Sequence, residues 1–140
     1  MTLDLATVDT LNRCNVSEME KVGHALNPQV PGSCEEFGRH VKKVEAALIH
    51  TYSIVAYVSL HQKNPAEAAA LWKHMGNFCD VAINALRTLK ERFPFCGAPE
   101  LYDMALDYKI AAEDRYQQNI RDSECLTLKI PADLFPKKNS

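Results

Sequence analysis

The chain has 140 residues, of which 46% are hydrophobic and 24% are charged, a usage typical of one globular domain. The formal net charge is −2 and the sequence pI is about 6.2, so the overall charge does not favour binding to nucleic acid. The first ten residues contain no basic residue and no uninterrupted apolar run, which excludes the signal-peptide pattern there.

The cysteines predict a reducing environment. There are five of them, an odd number, at wide spacings and without a CxxC motif: Cys14, Cys34, Cys79, Cys96 and Cys125. Without an export signal, this pattern favours free thiols over a disulfide framework. We therefore predict five free thiols and a cytoplasmic location.

The N-terminal segment predicts one or two short helices. A weak apolar face covers Leu3–Arg13, and a Ser17/Glu20 capping box predicts a second start. Asn27-Pro28 ends that helix, and the Pro and Gly content of residues 27–33 predicts a loop.

A long helix is predicted from about Cys34 to Lys63, begun by a capping box of Ser33 with Glu36. Apolar side chains recur in it at alternating steps of four and three, the seam of a helical bundle. The seam residues are Phe37, Val41, Val44, Leu48, Thr51, Val55, Val58 and Gln62.

The stretch Ala46–Gln62 has no formal charge and is apolar on almost every side of the helix. It is at the short limit for a membrane span and contains two histidines, so we expect it to be buried in protein. Its residues Ile49, Ala56 and Leu60 lie outside the seam, and either the rest of the chain or a second chain must cover them.

Two more helices follow. Asn64 and Pro65 suit the start of a helix that Pro94 ends, and the short turn predicts an antiparallel hairpin with the preceding helix. A last helix is predicted from Pro99 to about Asp122, with an apolar face opposite an acidic stripe. The stripe consists of Glu100, Asp103, Asp107 and Asp114.

The fold predicted from these elements is all-α: an up-down bundle of three long antiparallel helices plus one or two short N-terminal helices. Residues 1–125 form the single bundle domain, and 126–140 form an extended tail. In the tail, Leu126, Leu128 and Ile130 alternate with other residues as in a strand, although no second strand is predicted. The tail therefore either lies in a groove of its own bundle or augments another chain.

The motifs of several enzyme and cofactor classes are absent from the sequence. It contains no GxGxxG, no Walker A loop, no HExxH, no Glu-x-x-His and no CxxCH. We therefore predict no catalytic residues, no metal site and no cofactor.

One group of polar residues is expected near the middle of the bundle. The helix register places His50 level with Cys79, and the group is His50, Tyr57, His74, Cys79 and Asp80. These residues could line a small-ligand pocket between helices or include a Cys–His site. In the alternative interpretation they are ordinary packing and surface residues, which we favour.

Three functions are consistent with the sequence. The leading hypothesis is a non-enzymatic protein that acts by protein–protein association, most simply as a homodimer, and that does not enter a membrane. Its expected interface consists of Ile49, Ala56, Leu60, Leu126, Leu128 and Ile130. The alternative is a small-molecule-binding or enzymatic bundle with a pocket around His50, Tyr57 and Cys79. The second alternative is a regulatory factor that uses the basic patch Arg39–Lys43, although this patch is also typical of a solvated helix start.

Overall fold

The computed structural model describes the backbone of residues 5–134 and the side chains of residues 6–125. This part of the chain is helical and contains no strand, which confirms the all-α prediction. Its four helices are α1 (Leu5–Ala25), α2 (Pro31–Leu60), α3 (Pro65–Arg92) and α4 (Ala98–Leu134). No helix in this part has a stretch long and apolar enough to span a membrane.

The N-terminal region differs from the prediction, because α1 is one continuous helix of 21 residues instead of one or two short ones. Its buried side chains, Val8, Asn12, Val16 and Met19, follow one another at steps of four and three. A break at Ser17 would divide this row, and Ser17 itself is exposed on the outer side of α1. The predicted Ser17/Glu20 capping box is therefore wrong. The polar Asn12 interrupts the apolar pattern of this row, so the sequence did not indicate one continuous helix.

The seam of α2 is buried as predicted from Phe37 to Val55, whereas Val58 and Gln62 are only half-buried, and the predicted start of the helix is wrong. From Phe37 to Val55 the seam residues are at most 6% exposed. The helix begins at Pro31, and its N-cap, Val30, makes no side-chain capping bond. Ser33 is buried inside the first turn, so the predicted Ser33/Glu36 capping box is wrong.

The start of α3 confirms its prediction. The side chain of Asn64 accepts a hydrogen bond from the backbone N–H of Ala66 at 2.9 Å, and Pro65 occupies the first helical position. The helix ends at Arg92, just before Pro94. α2 and α3 therefore form the expected hairpin, and Tyr52 of α2 contacts Trp72 of α3 with ring centroids 5.4 Å apart.

The hydrophobic core lies among all four helices, and α3 is central to it because it packs against the other three. α1 packs against α2 and α3, and α4 packs mainly against α3 with fewer contacts to α2. The rings of Phe37 and Phe93 stack with centroids 4.2 Å apart, and both are buried with Trp72 and Phe78. α1 is thus a full part of the core, since Met19 is completely buried there.

The last helix is longer than predicted. Its apolar face packs inward and its acidic stripe is exposed, as expected. The helix continues to Leu134, so the prediction of an extended tail from residue 126 is wrong. The side chains of the predicted interface residues Leu126, Leu128 and Ile130 lie outside the described residues, as do residues 135–140 altogether.

The cysteine prediction is also wrong in part, because Cys34 and Cys96 form a disulfide with a Cα–Cα distance of 5.5 Å. The bridge joins the first turns of α2 to the turn between α3 and α4. These residues are 62 positions apart, so only the folding of the hairpin brings them together. Cys14, Cys79 and Cys125 remain free thiols.

Replacing both bridged cysteines by serine (C34S/C96S) should lower the free energy of unfolding by about 2–5 kcal/mol, because the bridge restricts a long loop in the unfolded chain. Urea unfolding followed by circular dichroism measures this change. The control is C14S/C125S, which removes two exposed thiols and should leave the stability within about 0.5 kcal/mol. A thiol assay of the denatured, unreduced protein should find three free thiols, and five would contradict the bridge.

A buried hydrogen bond between α1 and α2 provides a second test. The amide of Asn12 donates to the hydroxyl of Thr51 at 2.6 Å. Thr51→Val leaves that amide buried without its partner and should cost about 1–3 kcal/mol in urea unfolding. The double variant N12L/T51V removes both polar groups and should be less destabilised than Thr51→Val alone, whereas a larger loss in the double variant would contradict this role.

Candidate interaction surface

The side of α2 that faces away from the core presents apolar side chains to solvent. The exposed fractions of Ile49, Tyr57 and Leu60 are 45%, 66% and 79%. Together with the exposed positions between them they form a row along the helix, here named the outer stripe. Its members are Ala46, Ile49, His50, Ser53, Tyr57 and Leu60.

The predicted interface residues on α2 do not all lie in the outer stripe. Ile49 and Leu60 belong to the outer stripe, whereas Ala56 is half-buried at its edge and packs against the core. Tyr52 is close to Ala56 along the same edge, and its ring stacks on Tyr108 of α4 with centroids 4.6 Å apart. This edge of the stripe therefore borders α4.

Several polar groups on and beside the outer stripe are satisfied by the backbone of α2 itself. The hydroxyl of Ser53 donates to the carbonyl oxygen of Ile49 at 2.9 Å, and that of Ser59 donates to the carbonyl of Ala56 at 3.1 Å. Nδ1 of His61 lies 2.8 Å from the carbonyl oxygen of Tyr57. Because these groups already have partners, covering the stripe with apolar atoms costs less than burying unpaired polar groups.

Formal charge begins only at the ends of the stripe. Lys63 follows it, and a group of exposed basic residues, Arg39, Lys42 and Lys43, precedes it on the same helix. Lys42 lies 4.0 Å from Glu45, an exposed ion pair of small energetic value. The stripe is thus an uncharged patch bounded by charge, the usual anatomy of an association surface.

An exposed apolar residue of α1 borders the outer stripe on the side opposite α4. Glu18 of α1 reaches His40 of α2 at 3.5 Å, so its row on α1 faces α2. Leu11 lies two turns before Glu18 in that row and is exposed. Leu11 therefore extends the apolar surface from α2 onto α1.

The structure separates the predicted polar group into four environments. His50 and Tyr57 are exposed on the outer stripe, whereas Cys79 is completely buried in α3. Nζ of Lys109 donates to Asp80 at 2.9 Å at the contact between α3 and α4. His74 is half-buried beside a shallow cleft at the other end of the bundle, and its Nε2 is buried with no hydrogen-bond partner among the described residues.

The thiol of Cys79 does not have the properties of an activated nucleophile. Burial raises its pKa from 9.0 to about 12, an effect that the nearby Lys109 partly opposes and the Asp80 carboxylate reinforces. A Cys–His site needs the opposite shift, toward a thiolate at neutral pH. Cys79 therefore has the character of a core residue that fills space.

One concave feature was not predicted as a cleft, although Arg39 and Lys42 of the predicted basic patch line it. An open cleft of about 720 Å³ lies between the first half of α2 and the turn after α3, beside the disulfide. Phe95, which is 93% exposed, lines it together with Arg39 and Lys42. In the sequence, the apolar Phe95 in a turn that contains proline and glycine was the signal that could have indicated this cleft. Three carboxylates also line the cleft and offset its two cations: Glu35, Glu45 and Glu100.

The buried thiol gives the free energy of unfolding a dependence on alkaline pH. The folded state holds the Cys79 proton up to a pKa of about 12, while the unfolded state releases it near 9.0, so rising pH between these values favours unfolding. Urea unfolding at several pH values should show a steeper fall in stability for the native chain than for Cys79→Ala. Equal slopes would contradict the burial effect.

Comparison of the chain with protein-family models, with curated proteins and with solved structures finds no match.

Proposed function

We propose that this chain is a non-enzymatic helical-bundle protein that acts by protein–protein association through the outer stripe of α2, and that it forms a homodimer. The observation that carries this proposal is the exposure of Ile49, Tyr57 and Leu60 along a helix surface without formal charge. A row of exposed apolar side chains without formal charge, bounded by charged residues, is typical of an interaction site.

The energetics favour association over solvation of this helix face. Burying the largely exposed Leu60 contributes up to about 1.5–3 kcal/mol, the half-exposed Ile49 contributes less, and a symmetric dimer buries each residue twice. The hydroxyls of Ser53 and Ser59 oppose this gain only weakly, because they keep their bonds to the helix backbone in the dimer.

The other two functions have less support. A ligand site around His50, Tyr57 and Cys79 requires these side chains to meet, and two of them are exposed while the third is buried. A basic docking patch at Arg39–Lys43 is weakened by the carboxylates beside it, among them Glu35 and Glu45. Both functions therefore rank below association.

A cytoplasmic location remains a prediction. Only three of the five cysteines that supported this prediction are free thiols, because Cys34 and Cys96 are bridged. Structural disulfides persist mainly in oxidising compartments, so the redox state of this bridge in the cell decides between the two environments.

Charge placed in the outer stripe should weaken the dimer without unfolding the chain. Sedimentation velocity at micromolar concentrations should give about twice the chain mass of 15.7 kDa for the native protein. Leu60→Glu should weaken dimerisation at least about tenfold, because each dimer would then bury two carboxylates. Circular dichroism should show unchanged helix content, since Leu60 is exposed in the monomer.

The matched control is Ile110→Glu. Ile110 is 60% exposed, but it lies on α4 nearly opposite Tyr108, the residue that faces α2. This variant should dimerise like the native protein. A native chain that remains monomeric throughout the concentration series, or equal weakening by both variants, would overturn the proposed function.

A further inference from the structure

Two buried side-chain atoms have no hydrogen-bond partner among the described residues, Oδ1 of Asp9 and Nε2 of His74. Asp9 lies on α1 and is only 9% exposed, and His74 is half-buried on α3. The second carboxylate oxygen of Asp9, Oδ2, is already paired, because it lies 2.9 Å from Nε of Arg13. A buried polar atom without a partner is unfavourable, so Oδ1 and Nε2 each require one.

The helices that carry these two residues, α1 and α3, run in the same direction. Ala6 at the start of α1 lines one cleft with Glu67 at the start of α3. At the other end of the bundle, Arg92 of α3 donates to the carbonyl oxygen of His24 of α1 at 3.3 Å. Equal steps along the two helices therefore keep their residues approximately level.

Asp9 and His74 lie at the same height along α1 and α3. Gly23 of α1 is beside Leu89 of α3, where a Cβ on the glycine would lie 2.8 Å from a Leu89 methyl carbon. Fourteen residues earlier on the two helices are Asp9 and Met75. Because His74 directly precedes Met75, it is level with Asp9 to within about one residue rise of 1.5 Å.

Both side chains also lie on the sides of their helices that meet. His74 is eighteen residues, or five helical turns, before Arg92, so it is on the side of α3 that reaches α1. Asp9 follows Ala6 by about one turn on α1, and Ala6 lines a cleft with His74. Oδ1 and Nε2 therefore enter the same part of the contact between α1 and α3.

We infer that a single water molecule binds between α1 and α3 and bridges Oδ1 of Asp9 to Nε2 of His74. Two polar partners are what a buried water typically needs, and the cleft that His74 lines connects the site with solvent. The water donates to the carboxylate, which can only accept. It donates to or accepts from the imidazole, so it fits whichever ring nitrogen carries the proton.

The chemistry of the site favours water over other small ligands. An anion would face the carboxylate of Asp9. A metal ion would need more ligands, and the part of the chain that the structure describes has no group of three His, Cys, Asp or Glu side chains that could hold one. The water joins the first half of α1 to α3, as the bond between Asn12 and Thr51 joins it to α2. This site does not depend on the proposed function.

NMR spectroscopy of the full chain detects such a water directly. The two ring protons that flank Nε2 of His74 should show an NOE and an ROE to water of opposite sign, which indicates a water that stays bound while the protein tumbles. The exposed ring of His50 should give only the weak signal of surface water. Asp9→Leu should abolish the His74 signal, whereas Asp9→Asn, which keeps a carbonyl acceptor, and the control Arg13→Gln should retain it.

Urea unfolding measures the coupling that the water produces. Asp9→Leu and His74→Phe should each raise the unfolding equilibrium constant at least about fivefold, because each leaves the other residue without its bridge. The double variant D9L/H74F should raise it by less than the product of the two effects. Single effects that multiply fully would overturn the inference. A native His74 ring without the signal of a long-lived water, or a crystal structure in which the two side chains bond directly, would overturn it as well.

Discussion

Two adjacent side chains in the middle of α2 determine which side of this helix faces solvent. Thr51 accepts a hydrogen bond from Asn12 of α1, and Tyr52 stacks on Tyr108 of α4 while its edge meets Trp72 of α3. The second half of α2, from Ala46 onward, is apolar on nearly all sides, so hydrophobic burial alone specifies its rotation about its own axis only weakly. Directional contacts to three neighbouring helices remove that freedom, and the identity of the outer stripe depends on them.

The sequence predicted well the features that repeat along a helix or depend on neighbouring residues. The buried seam from Phe37 to Val55 could be predicted from the helical period alone. The cap at Asn64 could be predicted because it depends on one local hydrogen bond. The continuity of α1 could not be predicted in this way, because its buried row includes the polar Asn12, whose partner is 39 positions away. The helix starts predicted at Ser17 and Ser33 are wrong because the burial of the long helix faces outweighs these local capping bonds.

The candidate site was predicted only in part for a similar reason. The helix register predicts how far along the bundle a residue lies, but it does not predict which side of its helix the residue occupies. His50 and Cys79 were expected at one height, and the stacking of Phe37 on Phe93 fits that register, yet the two side chains face different environments because they lie on different sides of their helices. Ile49 and Leu60 were predicted correctly to lie outside the seam. Their side of the helix follows from their spacing to Phe37 and Leu48 on the same helix, so no contact with another helix was needed. The disulfide depends on the meeting of two ends of the hairpin, which no local pattern contains.

The position of the disulfide also affects where the bundle can open. The bridge closes the α2–α3 hairpin covalently at the end opposite its turn at residues 61–64. A hairpin bridged at that end cannot fray there, whereas at the turn end, where Leu60 and His61 lie, no disulfide restrains the helices. The outer stripe runs from the middle of α2 to the turn end, which the bridge does not restrain. A partner seated on the stripe would restrict the motion that the covalent bridge leaves free, and amide exchange near residue 60 would report its arrival.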